Sequence, residues 1–259
     1  MNRYRGWFLC LAGLLLAGWF ATPVLAAERA ALFDQGHGQR FLIEGDEPLG
    51  LAALAGAFRG QGLSPRVQTG EITPESLRQV TALVLSGPFQ PIGEPEVAAI
   101  DNFLARGGRL CLMLHIAEPA WPLLGALGVA VTRAPVREQV NLVGDDPLEF
   151  RVTNFVAHPV TAGLSSITVK GCWGLRNMND RSRVLAWSSP RTWSDLNGDG
   201  QMGPGEPPMP QGVLVGGQRG KGAFLVFGDD AIFQNQFLTG DNLMLAQNLA
   251  LWLKGGSLK

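Results

Sequence analysis

From Ala30 onward the chain alternates short apolar runs with amphipathic stretches. Ala30 to Asp34 is apolar up to its closing Asp34, Ala82 to Leu85 is apolar throughout, and so is most of Leu110 to Ile116, as expected for strands buried on both faces. Between them, Leu49 to Phe58 is rich in Ala and Leu, and Pro74 to Val80 opens with the helix-start pattern Thr-Pro-Glu. Pro95 to Ala105 places apolar residues at 97, 98, 100, 103 and 104, one face of a helix that Gly107-Gly108 would stop. A brief extended piece spans Arg66 to Gln68, and Ala120 to Leu127 reads as a further helix. Strands that alternate with helices require a parallel sheet covered on both faces. The predicted fold class is therefore α/β, with a flavodoxin-like, doubly wound, mostly parallel sheet.

After about Ala134 the helices give out. Glu149 to Asn154, Ile167 to Val169, Val184 to Trp187 and Gly212 to Val215 read as strands separated by turns, with a Gly/Pro-rich loop at 189–211. Ala223 to Phe227 and the amphipathic stretch Asn242 to Leu253 then restore the α/β pattern. The expected organisation is one domain over 28–255, in which a β-rich region at about 135–216 extends one edge of the same sheet.

Residues 1–27 have a separate character. Arg3 and Arg5 precede an apolar stretch from Gly6 to about Phe20, and Val24-Leu25-Ala26 supplies small residues for cleavage. This pattern is that of a secretory signal peptide and predicts a periplasmic or secreted protein; an uncleaved membrane anchor is the alternative. Only two of the 21 basic residues and none of the 22 acids lie in this segment, so the formal charge moves from −1 to −3 on its removal. A mildly acidic chain without a basic cluster speaks against nucleic acid as a partner.

In a parallel sheet, ligands bind beyond the carboxyl ends of the strands. The polar residues just after each predicted strand are Asp34, Gln35, His37 and Gln39, then Ser86, then His115 and Glu118, and finally Asp229, Asp230 and Asn235. Asp34, His37 and Asp229 are expected to share one polar rim. A nucleophile is harder to place. Neither Leu85-Ser86-Gly87-Pro88 nor His115-Ile116-Ala117-Glu118 has the Gly-flanked strand-to-helix turn that exposes a catalytic Ser or Cys, and Pro88 removes a backbone donor. Cys111 falls mid-strand, and Cys172 has no nearby His in sequence. If the chain is an enzyme, His37 as general base oriented by Asp34 is the candidate set.

The long loop carries a sharper pattern, from Asp195 to Glu206. Asp195, Asn197 and Asp199 occupy positions 1, 3 and 5 of a twelve-residue loop; Gly200, Gln201 and Glu206 occupy 6, 7 and 12. That spacing wraps Ca²⁺ in oxygen ligands, with Gln201 contributing its carbonyl. Pro190 before the loop and Pro207, Pro208 and Pro210 after it exclude flanking helices, so a structural rather than a sensing site is predicted.

Several stretches also resemble a known family. Leu32-Phe33-Asp34-Gln35-Gly36-His37-Gly38-Gln39 is similar to the opening Asp-x-x-His-Gly signature of an uncharacterised bacterial domain family of the class I glutamine amidotransferase-like superfamily. Ala82 to Pro88, Gly107-Gly108-Arg109-Leu110, His158-Pro159-Val160-Thr161-Ala162-Gly163 and Gly220-Lys221-Gly222 to Asp229, followed by Asp241-Asn242 and Trp252-Leu253, continue the resemblance in order. That group is related to the auxiliary protein of gliding-motility-type ABC transporters and to the N-terminal domain of an intraflagellar transport protein. The resemblance implies an amidotransferase-like fold without the Cys-His-Glu machinery, with Asp34, His37, Asp229 and Asn242 as matching polar positions. It further implies a small polar ligand, with carbohydrate as a candidate, and His158 as a turn residue. The expected function is a non-catalytic binding or accessory protein. A hydrolase and a scaffold subunit of an envelope or transporter complex are the alternatives.

Overall fold

The computed structural model describes residues 29–255; the signal-peptide expectation lies outside them. The first half builds β1 (Ala30–Asp34), α1 (Ala52–Gly60), β2 (Ser64–Gln68), β3 (Ala82–Ser86), α2 (Glu94–Ala105), β4 (Arg109–Met113) and α3 (Trp121–Leu127). β1, β3 and β4 are apolar runs buried along almost their whole length, as strands with cover on both faces must be. β2, with Pro65 and Arg66, is the half-exposed edge.

The segment 74–80 does not form the expected helix. Thr73 and Ser76 bond each other's backbone N–H through their side-chain oxygens, and Ser76 also donates to the Thr73 carbonyl. This closed turn competes with helical bonding, and the chain must straighten into β3 within a few residues.

The second half builds β5 (Val129–Arg137), β6 (Leu142–Val143), β7 (Asp146–Val152), β8 (Asn154–Phe155), β9 (Ile167–Lys170), β10 (Trp173–Asn177), β11 (Ser182–Trp187), β12 (Trp193–Ser194), β13 (Gly212–Arg219), β14 (Gly222–Phe227) and α4 (Gly240–Leu253). The main sheet runs β12-β5-β10-β13-β14-β4-β3-β1-β2, and β11 pairs with both β13 and β8. Pairing is parallel among β2, β1, β3, β4 and β14 and antiparallel beyond β14. The result is a mixed α/β fold on one large mixed sheet. The β-rich region does extend one edge, but it begins earlier than expected, at Val129, and part of it leaves to form a separate sheet, β6-β7-β9.

Helices cover both faces of the parallel part. On one face Leu54 and Phe58 of α1 and Leu245 and Leu249 of α4 pack with Phe33, Val84 and Met113; Phe150 and Val169 of the small sheet join them. On the other, Ile100 and Phe103 of α2 and Leu123 of α3 pack with Leu83, Leu85 and Leu112. Cys111 and Cys172 are both buried, unpaired thiols within this core. Among the described residues, no helix is long and apolar enough to cross a membrane.

Candidate functional site

β1, β3, β4 and β14 all end on one rim, and two histidines stand there in opposite circumstances. His37 lies in the loop after β1 and is buried. Its Nδ1 lies 2.7 Å from Asp34 Oδ2 and its Nε2 lies 3.0 Å from Glu96 Oε2. Glu96 sits in the first turn of α2, where its carboxylate also accepts the N–H of Gly93 (2.9 Å) and of Ile72 (2.7 Å). Gln39 completes the set: its side-chain amide donates to Asp34 Oδ2, and its carbonyl oxygen accepts the His37 N–H at 2.8 Å.

An imidazole held between two carboxylates carries a proton on each nitrogen. The bond to Asp34 raises the pKa of His37 to about 9 against the effect of burial, and Glu96 adds to the rise. Burial acts to raise Glu96, but the two backbone donors and His37 together hold it below the usual carboxylate range. His37 therefore has no lone pair to offer a substrate, which removes the geometry a general base requires. Sequence reasoning missed Glu96. Its signal was the position three residues after Gly93 at a helix start, where a Glu side chain reaches back to the backbone.

His115, just past β4, is exposed. Its Nδ1 lies 3.0 Å from Asp230 Oδ1, and the rings of Phe41 and Phe89 stand 5.2 Å away on two sides. The Arg40 guanidinium stacks over Phe89 at 4.7 Å. The bond to Asp230 raises the pKa of His115, burial opposes it, and the charge of Asp229 adds to the rise. Two buried oxygens on this rim have no hydrogen-bond partners among the described residues: Ser86 Oγ at the end of β3, and Asp230 Oδ2 on the carboxylate that His115 bonds. Gly87, with φ of +55°, makes the arrangement possible: a Cβ there would overlap Asp230 Oδ2 and come within 3.2 Å of His115 Cβ.

The other expected site residues are engaged elsewhere. Asp229 accepts the N–H groups of Lys170 (2.6 Å) and Ala231 (2.8 Å), joining β9 to the end of β14; burial and the charge of Asp230 push it up to about 8. Asn242 is a latch between α4 and β9, accepting the Thr168 N–H and donating to the carbonyls of Thr168 and Phe237. Asn235 braces α1 and the loop before it, Gln35 bonds Glu44, and Glu118 is exposed at the start of a short turn. The polar rim is thus a locked set at His37 and an open set at His115, with Asp229 directed away toward the small sheet.

In the twelve-residue loop, Asp195 Oδ2 accepts from Arg137 Nε at 2.8 Å and from the Gly200 N–H at 3.1 Å, while its Oδ1 is buried and unpartnered. Asn197 accepts the Asp199 N–H and Asp199 the Gln201 N–H. The Glu206 carboxylate is turned to the N–H groups of Leu196 (2.6 Å) and Gly203 (2.8 Å). Among the described residues no three His, Cys, Asp or Glu side chains converge as a ready metal cluster.

A family profile described as a domain of unknown function, DUF4350, matches residues 45–250. The chain belongs to the DUF4350 family. The DUF4350 match contains His115, Asp229, Asp230, Asn242 and the twelve-residue loop, and begins after Asp34, His37 and Gln39. No curated protein matches the chain. Among solved structures, the mmIFT52 N-terminal domain is similar at 19% identity and a TM-score of 0.70, over 88% of this chain and 99% of that one. A cytoplasmic protein from Salmonella typhimurium LT2 is 18% identical, with a TM-score of 0.56 over 89% and 100%. A protein from Bacteroides uniformis ATCC 8492 described as thua-like is 17% identical, with a TM-score of 0.54 over 93% and 98%. At such identities these likenesses speak to the fold alone.

Proposed function

We propose that this DUF4350 chain is an exported, non-catalytic ligand-binding or accessory protein whose ligand docks on the rim at His115. The observation that carries this reading is the pair of buried unpartnered oxygens, Ser86 Oγ and Asp230 Oδ2, at the strand ends that also present the exposed His115 imidazole. Buried polar atoms are normally satisfied, and a polar ligand would satisfy these. Phe41 and Phe89 add two aromatic faces beside the polar floor, a combination suited to a sugar ring. The order β2-β1-β3-β4-β14 with helices on both faces supports a flavodoxin-like, amidotransferase-like core, in which ligands bind at this end of the strands. Burial pushes both thiols well up, so neither Cys111 nor Cys172 provides a thiolate nucleophile. Calorimetric titration against a panel of mono- and oligosaccharides tests the reading. A ligand whose affinity falls about tenfold in His115→Ala supports it; turnover of the ligand, or binding unchanged in the variant, overturns it.

One observation favours a second reading, a hydrolase. The bond from Asp230 orients His115 and leaves its other ring nitrogen toward the rim, so His115 rather than His37 is the base such an enzyme would use. Ester, amide and glycoside substrates assayed with wild type and His115→Ala separate the two readings.

We further propose that loop 195–206 holds a structural Ca²⁺ and that residues 1–27 direct export. The oxygen spacing, the sixth-position N–H donated to the first-position carboxylate, and the unpartnered Asp195 Oδ1 support the first. The basic, apolar and small-residue order of the leader supports the second. Cell fractionation with N-terminal sequencing tests export, and a mature chain that retains residue 1 in the cytoplasm refutes it.

A further inference from the structure

The opposite end of the same strands carries a second feature. A cavity of about 650 Å³ opens where β4 and β14 begin, lined by Arg109, Arg181, Arg183, His158, Ser182 and Trp252, with Asp180 its one carboxylate. Among the described residues none of these three arginines forms an ion pair, in contrast to Arg78, Arg137 and Arg219. Arg109 donates to the Trp252 carbonyl and stacks on its indole at 5.0 Å, and Arg183 donates to the Ala157 carbonyl at 3.2 Å. Bonds to neutral carbonyls hold the two side chains in place without cancelling their charge.

Ser182 gives an independent sign of a missing partner. It is 7% exposed, and its Oγ makes no hydrogen bond among the described residues. Opposite it in the β11–β13 pairing stands Gly217, where a Cβ would lie 2.8 Å from Ser182 Cβ and overlap the Phe224 ring. The wall beside the hydroxyl is thereby kept bare. His158 accepts the Val160 N–H on Nδ1 at 3.1 Å, which leaves its proton on Nε2. Burial, reinforced by Arg183 and Arg109, lowers its pKa to about 4, so at neutral pH it contributes a donor and no charge.

We propose that this cavity binds a tetrahedral dianion, the phosphate or sulfate group of a small ligand, through Arg109, Arg181, Arg183 and the Ser182 hydroxyl. Three guanidinium groups against one carboxylate leave two positive charges, which a dianion matches and a single carboxylate does not. The site is separate from the His115 rim, and its test is independent of that reading. NMR titration of His158 in the purified protein, with sulfate as the probe, reads occupancy directly because an anion beside His158 raises its pKa. The expected result is a rise of at least one unit at low millimolar sulfate. Affinity should be about tenfold weaker in Arg183→Gln and weaker in Ser182→Ala, whose shape is unchanged. Glucose 6-phosphate and glucose 6-sulfate then separate the two ester chemistries, and tighter binding of either than of inorganic sulfate supports the assignment. An equal shift with chloride at matched ionic strength, or an affinity no weaker in Arg183→Gln than in Arg191→Gln, a variant of an exposed arginine outside the cavity, overturns it.

Discussion

Moving from pH 6 to pH 10 should weaken this fold in a way that His37→Gln abolishes. His37 is raised from 6.5 to about 9 by the carboxylates of Asp34 and Glu96. A group whose folded pKa exceeds its unfolded value binds more protons in the native state, so stability falls as pH rises. Here the contribution is complete below pH 6.5 and is lost as pH climbs through about 9. The shift alone corresponds to roughly 3 kcal/mol, and solvent screening at the loop surface brings it to about 2 kcal/mol. Asp229, raised to about 8, also makes stability fall with pH, between 3.8 and 8. It does so in wild type and variant alike and cancels in the difference. Urea unfolding at both pH values therefore isolates His37. The substitution should cost about 2 kcal/mol more at pH 6 than at pH 10. Parallel pH–stability curves would falsify the ion-locked imidazole.

Three further outcomes are expected. Gly87→Ala should destabilise by about 2–3 kcal/mol in urea unfolding, because it combines a left-handed φ with overlap on Asp230 Oδ2; a change within error means the turn relaxes freely. Asn242→Ala should cost about 2 kcal/mol through its lost backbone bonds to Thr168 and Phe237. Because it acts as a latch, the affinity of any His115 ligand should stay unchanged, and a parallel loss of affinity would return Asn242 to the site. Ca²⁺ should raise the melting temperature of wild type but not of Asp195→Ala or Glu206→Ala, and identical melting with and without chelator refutes the calcium loop.

The parallel half of the fold was legible because strands buried on both faces read as unbroken apolar runs, as in Ala82 to Leu85 and Ala223 to Phe227. β5 and β10 were not. β5 contains Pro135 and two arginines, and β10 opens Trp-Gly at a pairing irregularity, so neither shows a clean period of two. The rim was legible as a set of strand ends, but the division of labour on it was not. Which nitrogen of which histidine is already bonded depends on Glu96 and Asp230, residues 59 and 115 positions away in the chain. Asp229 and Asn242 look like site residues in sequence because the backbone groups they satisfy belong to a β-sheet whose position no local pattern announces.

The two histidines are nonetheless parts of one arrangement. The His37 carbonyl accepts the N–H groups of Phe89 and Gln90, both at 2.9 Å, which ties the loop after β1 to the loop after β3. Those loops supply Arg40, Phe41 and Phe89, the walls around His115. Locking His37 between two buried carboxylates is a costly way to hold a loop unless the position of that loop matters. At the rim it does, since a displacement of Phe41 or Phe89 would remove the aromatic walls that flank the His115 imidazole. Under the proposed reading, the buried ion set positions the walls of the His115 rim. Its deprotonation near pH 9 should loosen ligand binding there before it unfolds the chain, and in His37→Gln that pH dependence of binding should vanish while the weaker affinity remains.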